Sequence, residues 1–258
     1  MFKSMKVIIL GSGTSQGIPV IGCNCETCVS KNPKDKRLRT SAYIETGNKK
    51  ILIDTSIDFR QQMLKNNLSD IDTVLYTHHH VDHINGMDDL RMITQKYDKV
   101  IDLYGNKLTM DEMKISFRYV FTEELVKYKS VPLVKFNNLE NKEFFIDKIK
   151  IIPVECLHGD LKIFGYRVGD FAYLTDVSFI SEEEMKKLSG LKVLVLNALR
   201  IRPHPTHFNL QQAIEVAKKL KPNKTFFTHL THDILHEKIN ATLPKGIELA
   251  YDGLEFKL

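Results

Sequence analysis

The strongest constraint in this chain is the run Thr77-His78-His79-His80-Val81-Asp82-His83, which follows directly on Asp72-Thr73-Val74-Leu75-Tyr76. The preceding residues are apolar and β-branched and read as a buried strand. Four of the ten histidines fall within six positions, in the spacing His-x-His-x-Asp-His. Where a strand gives way to a helix, His78 and His80 project the same way, while Asp82 and His83 fall on the opening turn. Imidazole suits zinc and related divalent ions, and a carboxylate suits hard or borderline cations. One such run can serve two adjacent ions. His79 lies between two ligands, should point away, and is assigned no chemistry.

The cysteines add a second cluster. Cys23, Cys25 and Cys28 form Cys-x-Cys-x-x-Cys, and Cys156 stands alone among apolar residues as a small core residue. In a reducing compartment the triplet reads as a metal site rather than a disulfide framework. Three ligands leave a structural zinc site one short of four, and a histidine from elsewhere is the natural donor.

Composition bounds the rest. With 258 residues, 43% hydrophobic and 27% charged, the chain has material for a sizeable core. The net charge of +5 is a modest bias toward anionic partners and by itself argues only weakly for nucleic acid. The apolar run Val7-Ile8-Ile9-Leu10 is too short for a signal peptide core or a membrane span, so a cytoplasmic location and no membrane partner are expected. No composition break marks a linker, and residues 1–258 read as one domain.

Local signals place the elements. Strands are predicted over Lys6–Leu10, Ala42–Thr46 and Lys50–Ile53, the last two joined around Gly47-Asn48 as a hairpin. A permissive glycine turn, Gly11-Ser12-Gly13-Thr14-Ser15-Gln16-Gly17, follows the first strand and leads into the cysteine loop. Residues 29–41 read as a basic, solvated loop. Helices are predicted over Asp58–Asn67, Gly86–Tyr97 and Thr109–Tyr119, and Ser130–Asn141 reads as irregular. Further strands run over Ile101–Tyr104, Glu143–Ile146, Lys148–Leu157, Leu161–Val168, Phe171–Leu174, Val193–Asn197 and Thr225–Thr228. Helices are predicted over Ser181–Leu188, with a capping-box pattern, Asn209–Leu220 and Asp233–Asn240.

The His-x-His-x-Asp-His run resembles the hallmark of the metallo-β-lactamase fold hydrolases. That resemblance implies an α/β fold, a four-layer αββα sandwich, with a dinuclear centre at one edge of its sheets. His158, Asp176 and His229 each stand at a predicted strand exit. By resemblance, His78, His80 and His158 hold one ion, Asp82, His83 and His229 the other, and Asp176 bridges them. His232, three residues beyond His229, can complete Cys23, Cys25 and Cys28. The early cysteine triplet with the late His-x-x-His resembles the phosphoribosyl cyclic phosphodiesterase branch of phosphonate breakdown, over nearly the whole chain.

The branch implies two divalent ions, zinc or manganese, in the active site and one structural zinc. A histidine before the helix at Asn209 resembles the extra histidine of the family's phosphodiesterases. His207 fits that register, with His204 as the fallback. The expected reaction is hydrolysis of a small, cyclic phosphodiester by hydroxide from the dinuclear centre, with His207 as general acid. Arg202, or the basic loop near Arg37 and Arg39, could steer the anion, though solvated surface is the simpler role for each.

Three alternatives share these residues: a tRNA 3′-processing endonuclease, a glyoxalase-type thioesterase, and a non-catalytic metal-binding regulatory protein. Endonucleases of that kind carry a long inserted arm. Here only the 17 residues 159–175 separate His158 from Asp176, and two short strands use them. The expected partner is a small anionic ester, with nucleic acid less favoured and a homodimer left open.

Overall fold

Alternation within the strands dictates a layered molecule. The computed structural model describes residues 4–258. On the first strand, β1 (Met5–Gly11), Val7 and Ile9 turn to one apolar layer while Ile8 and Leu10 turn to another. The same division repeats on β2 (Ser41–Thr46) and β3 (Lys49–Ile53), where Ile44, Ile51 and Ile53 face inward and Tyr43 and Leu52 outward. A strand that is apolar on both faces must be covered on both, and this one lies between a second sheet and a layer of helices.

The first sheet is completed by β4 (Thr73–Leu75), β5 (Ile101–Asn106) and β6 (Val134–Leu139). Its order is β15-β1-β2-β3-β4-β5-β6, with β15 (Leu254–Lys257) returning from the far end of the chain. The second contains β7 (Phe144–Ile146), β8 (Ile149–His158), β9 (Leu161–Val168), β10 (Phe171–Leu174), β11 (Phe179–Ile180), β12 (Val193–Asn197), β13 (Lys224–Thr228) and β14 (Ile247–Leu249). Its order is β11-β8-β9-β10-β12-β13-β14, with β7 beside β8.

Three apolar layers hold the sandwich. Between the sheets, Val7, Ile9, Ile44 and Leu75 meet Ile151, Tyr166, Tyr173 and Val195. Outside the first sheet, Phe59, Met63, Leu90, Ile93 and Met110 come from helices at Phe59–Lys65, Leu90–Tyr97 and Lys107–Ser116. Outside the second, Ala213, Ile214, Val216 and Ala217 come from the helix Leu210–Leu220. This is the four-layer αββα sandwich. Among the described residues, no helix is long and apolar enough to cross a membrane.

Several expectations need correction. Ser130–Asn141 is not irregular: Val134–Leu139 pairs in parallel with β5, from Ile101↔Val134 to Asn106↔Leu139. It is the sheet's last strand: Asn138 faces solvent, Asn137 donates to Asp102 on β5 at 2.9 Å, and the strand's order comes from the ladder rather than from propensity. Gly86–Tyr97 is a 3₁₀ turn, Asn85–Asp89, followed by the helix Leu90–Tyr97. The turn brings Gly86 so close to the preceding chain that a Cβ there would lie 2.2 Å from the Ser56 carbonyl oxygen. Asp233–Asn240 is helical only over His236–Asn240. Ser181 makes half of its capping box, since the Glu184 carboxylate accepts instead from Glu155 N at 2.7 Å and Asn141 Nδ2 at 2.8 Å. The full box belongs to Asn209 and Gln212.

Candidate metal centre

Parallel strands deliver their C-terminal loops to one edge, the usual place for a site in an α/β sheet. Asp54 follows β3, Thr77–His83 follows β4, Asp176 follows β10 and His229 follows β13. Three of these, Asp54, Asp176 and His229, adopt left-handed backbone with φ of 60°, 62° and 56°. Asp and His tolerate that region better than most residues, and its cost is met here where side chains must be re-aimed at a strand exit.

The histidine run is braced from behind. Asp54 accepts from Thr77 N and Thr77 Oγ1, both at 2.8 Å, and its Oδ2 lies 2.8 Å from His83 Nδ1. Thr77 Oγ1 in turn lies 3.0 Å from His78 Nδ1, so the His78 ring presents Nε2 forward, 3.0 Å from His80 Nδ1. His158 Nδ1 donates to the Thr206 carbonyl at 2.7 Å. The ligand atoms of His78, His80 and His158 all lie within 4.8 Å of one another. Those of Asp82, His83 and His229 form a second group of the same size.

Asp176 sits between the groups. Its Oδ2 is 3.4 Å from His83 Nε2, and its Oδ1 is 3.2 Å from His229 Nε2 and 3.1 Å from His207 Nε2. The structure therefore brings together all seven residues assigned to the dinuclear site. His79 belongs to none of the ligand groups.

The charge state suits cations. Burial holds His78 well below the ordinary histidine value and brings His229 down to about 4, the latter against the pull of Asp176. Both rings are neutral, the form that binds a metal. Burial also opposes charge on His83, but Asp82, Asp176 and Asp54 around it hold its imidazolium well above the ordinary value. Against the cost of burial, His83 and His229 hold Asp82 and Asp176 below the ordinary carboxylate value, and these two carboxylates beside the neutral rings fit divalent cations.

The cysteine site closes as its spacing requires. His232 Nδ1 lies 3.2 Å from Cys23 Sγ, 3.5 Å from Cys25 Sγ and 3.7 Å from Cys28 Sγ. A tetrahedral zinc with Zn–S near 2.3 Å and Zn–N near 2.0 Å has an S···N edge of about 3.5 Å. The donor set fits zinc.

Arg37 supports that site and corrects the reading of residues 29–41 as a solvated loop. Its side chain is fully buried, donating to the carbonyls of Thr231 at 3.1 Å and Ile234 at 2.6 Å and pairing with Asp35 at 3.3 Å. Burial lowers its pKa to about 10 with Asp35 opposing, so it stays charged at neutral pH. A buried arginine is affordable only with this many acceptors. Arg39 pairs with Asp58 at 3.0 Å, and the exposed Arg202 lies 3.7 Å from Asp233.

The loop before Asn209 carries two histidines in contact, His207 Nδ1 lying 3.1 Å from His204 Nδ1 and 3.0 Å from Thr206 Oγ1. His207 is buried and reaches Asp176; His204 lies one step outward. Two site residues were not picked out from the sequence. Asp54 could have been found as a carboxylate directly after the apolar strand Ile51-Leu52-Ile53. Thr14, whose Oγ1 is 3.3 Å from His229 Nε2, gave no signal beyond its glycine turn.

Comparisons with known proteins agree with this fold. The family model for the β-lactamase superfamily domain matches residues 49–230. A protein of Porphyromonas gingivalis named octanoyltransferase is 39% identical over 255 residues, matching 97% of this chain and 51% of its own length. Exodeoxyribonuclease YycJ of Bacillus anthracis is 24% identical over 164 residues, 60% of this chain and 57% of that protein. The chain thus spans about half the length of these curated relatives. Among solved structures, a diphosphatase of the PhnP family superposes with a TM-score of 0.94 at 41% identity, covering 100% of this chain and 98% of the other.

Proposed function

The chain belongs to the β-lactamase superfamily, as a metallo-β-lactamase fold hydrolase of the PhnP branch, and from that premise we propose that it hydrolyses a small anionic phosphodiester, cyclic esters included. The observation that carries this reading is His207 Nε2 at 3.1 Å from Asp176 Oδ1, an imidazole nitrogen set against the heart of the ligand cluster. Thioester hydrolysis expels a thiolate that needs no proton, whereas a sugar alkoxide does.

His78, His80 and His158 would hold one divalent ion, zinc or manganese, and Asp82, His83 and His229 the other, with Asp176 shared. When bound, such a pair supplies positive charge to phosphoryl oxygens and acidifies water. His207 holds a proton at Nε2 and delivers it to the departing oxygen. Its Nδ1, against Thr206 Oγ1 and His204, fixes the ring plane. Asp54, through Thr77 and His83, keeps the ligand rings in register. Cys23, Cys25, Cys28 and His232 would hold a structural zinc, anchoring the segment that carries His229.

A small substrate is favoured because β9 and β10 take up most of the span between His158 and Asp176. The diphosphatase and exodeoxyribonuclease names of two relatives support phosphoester chemistry. The octanoyltransferase name stays with its own protein, half of which lies outside the match. The test is a panel of bis-aryl phosphate, cyclic ribose phosphate, pre-tRNA, linear DNA and a glutathione thioester, each with and without chelator. Chelator-sensitive turnover of the cyclic ester is expected; turnover of the thioester alone would overturn the reading.

A further inference from the structure

The glycine turn after β1 is built with more support than a connection needs. Gly13 N donates to the Leu38 carbonyl at 2.8 Å, Thr14 N to Leu230 O at 3.1 Å, and Leu230 N back to Ser12 O at 2.9 Å. The buried Asp252 accepts from Ser12 N and Ser12 Oγ on one oxygen and from Leu38 N on the other, at 2.8–3.0 Å. A Cβ at Gly11 would lie 2.0 Å from the Arg39 carbonyl oxygen, so the chain passes there only as glycine. All of this fixes one side chain, Thr14, whose hydroxyl is carried to His229.

Its direction of approach is the informative part. Thr77, the hydroxyl beside His78, braces Nδ1, the back of the ring. Thr14 instead meets His229 at Nε2, the nitrogen that also faces Asp176 at 3.2 Å. It stands on the reacting side. A cation on that nitrogen would take its lone pair, leaving the Thr14 O–H to donate elsewhere within a buried, charged pocket.

We propose that the Thr14 hydroxyl is a substrate-contacting group, donating to a non-bridging phosphoryl oxygen seated at the His229 side of the centre. The inference rests on the phosphoester reading above and adds to it a donor supplied by the chain itself. A fixed neutral donor in such a place acts like one arm of an oxyanion hole, since it needs no reorganisation when charge develops.

The test uses Thr14→Val, which keeps the shape, Thr14→Ala as a second deletion of the hydroxyl, and Thr14→Ser, which retains it. Elemental analysis should show unchanged metal content in all three. Calorimetry with inorganic phosphate should then show affinity weakened by roughly 10- to 100-fold in the Val and Ala proteins, as for a hydrogen bond to a charged group, and Thr14→Ser within about threefold of wild type. kcat/KM on a bis-aryl phosphate should fall in parallel. Equal phosphate affinity in Thr14→Val and wild type overturns the proposal. So does metal loss in Thr14→Val that Thr14→Ser reverses, because the hydroxyl would then serve His229. Failure of the phosphoester reading is separate: a metal-loaded wild type that hydrolyses no phosphodiester.

Discussion

Asp54 Oδ2 lies 2.8 Å from His83 Nδ1, and both side chains are essentially sealed from solvent. The carboxylate fixes the orientation of a ligand ring from its far side and simultaneously holds Thr77, which braces His78. One residue thus steadies a ligand in each of the two groups.

Replacing Asp54 therefore acts at a distance from the reaction. Asp54→Asn keeps a side chain that tolerates φ of 60° but removes the charge. We expect metal affinity in the dinuclear site to fall by about 10- to 100-fold, read by competition with a chromophoric chelator. Wild-type affinity in this variant would mean that His83 is oriented by packing alone.

The cysteine site gives a count. Elemental analysis should find three ions per wild-type chain and one fewer in Cys25→Ser. Activity should fall mainly through instability, because structural zinc contributes folding energy. Equal metal in both proteins would remove the case for His232 as the fourth ligand.

Asp176→Ala should abolish activity and loosen both catalytic ions, since the carboxylate touches His83, His207 and His229 together. His79→Ala, outside every ligand group, should change turnover little. The assignment of Asp176 as the bridge does not survive a variant that keeps both ions and its rate.

His207 is tested by the leaving group. His207→Ala should hydrolyse an aryl phosphodiester with a modest loss, because a nitrophenolate departs unaided. On a cyclic ribose phosphate kcat should drop by roughly 10²–10⁴. Equal losses on both substrates would make His207 a phosphate binder.

Acid sensitivity has an identifiable contributor. Burial, with Lys34 and Arg37 nearby, lowers His236 to about 4. The folded state therefore refuses a proton that the unfolded chain accepts near pH 6.5. The stability this residue contributes is complete above about 6.5 and is lost as pH falls toward 4. In urea titrations at pH 7 and 4.5, His236→Phe should show a smaller loss than wild type. An identical loss would place the acid sensitivity elsewhere.

What the sequence made legible follows from range. The ligand run, the cysteine triplet and the strand exits at His158, Asp176 and His229 are local patterns, readable without knowing what packs against them. Asp54 meets His83 29 residues away and Thr14 meets His229 215 residues away, so the strand exit before Asp54 marks a candidate without its role, and the turn around Thr14 marks nothing. Arg37 misled for the same reason: a basic stretch reads as solvated until its acceptors at Thr231 and Ile234 are known. The edge strand Val134–Leu139 was hidden because half its order is borrowed from β5.

The return of β15 to β1 has a consequence in time. Ile8 pairs with Glu255 and Ile9 with Leu254, so β1 is completed by a strand about 245 residues further along the chain. At about 5–20 residues per second, a nascent chain carries β1 for on the order of ten to fifty seconds with one edge open. Asp252, which locks the Thr14 turn, emerges just ahead of β15. The turn is therefore locked only after Asp252 has emerged, and a nascent chain short of that residue carries its ligand-bearing loops unfastened.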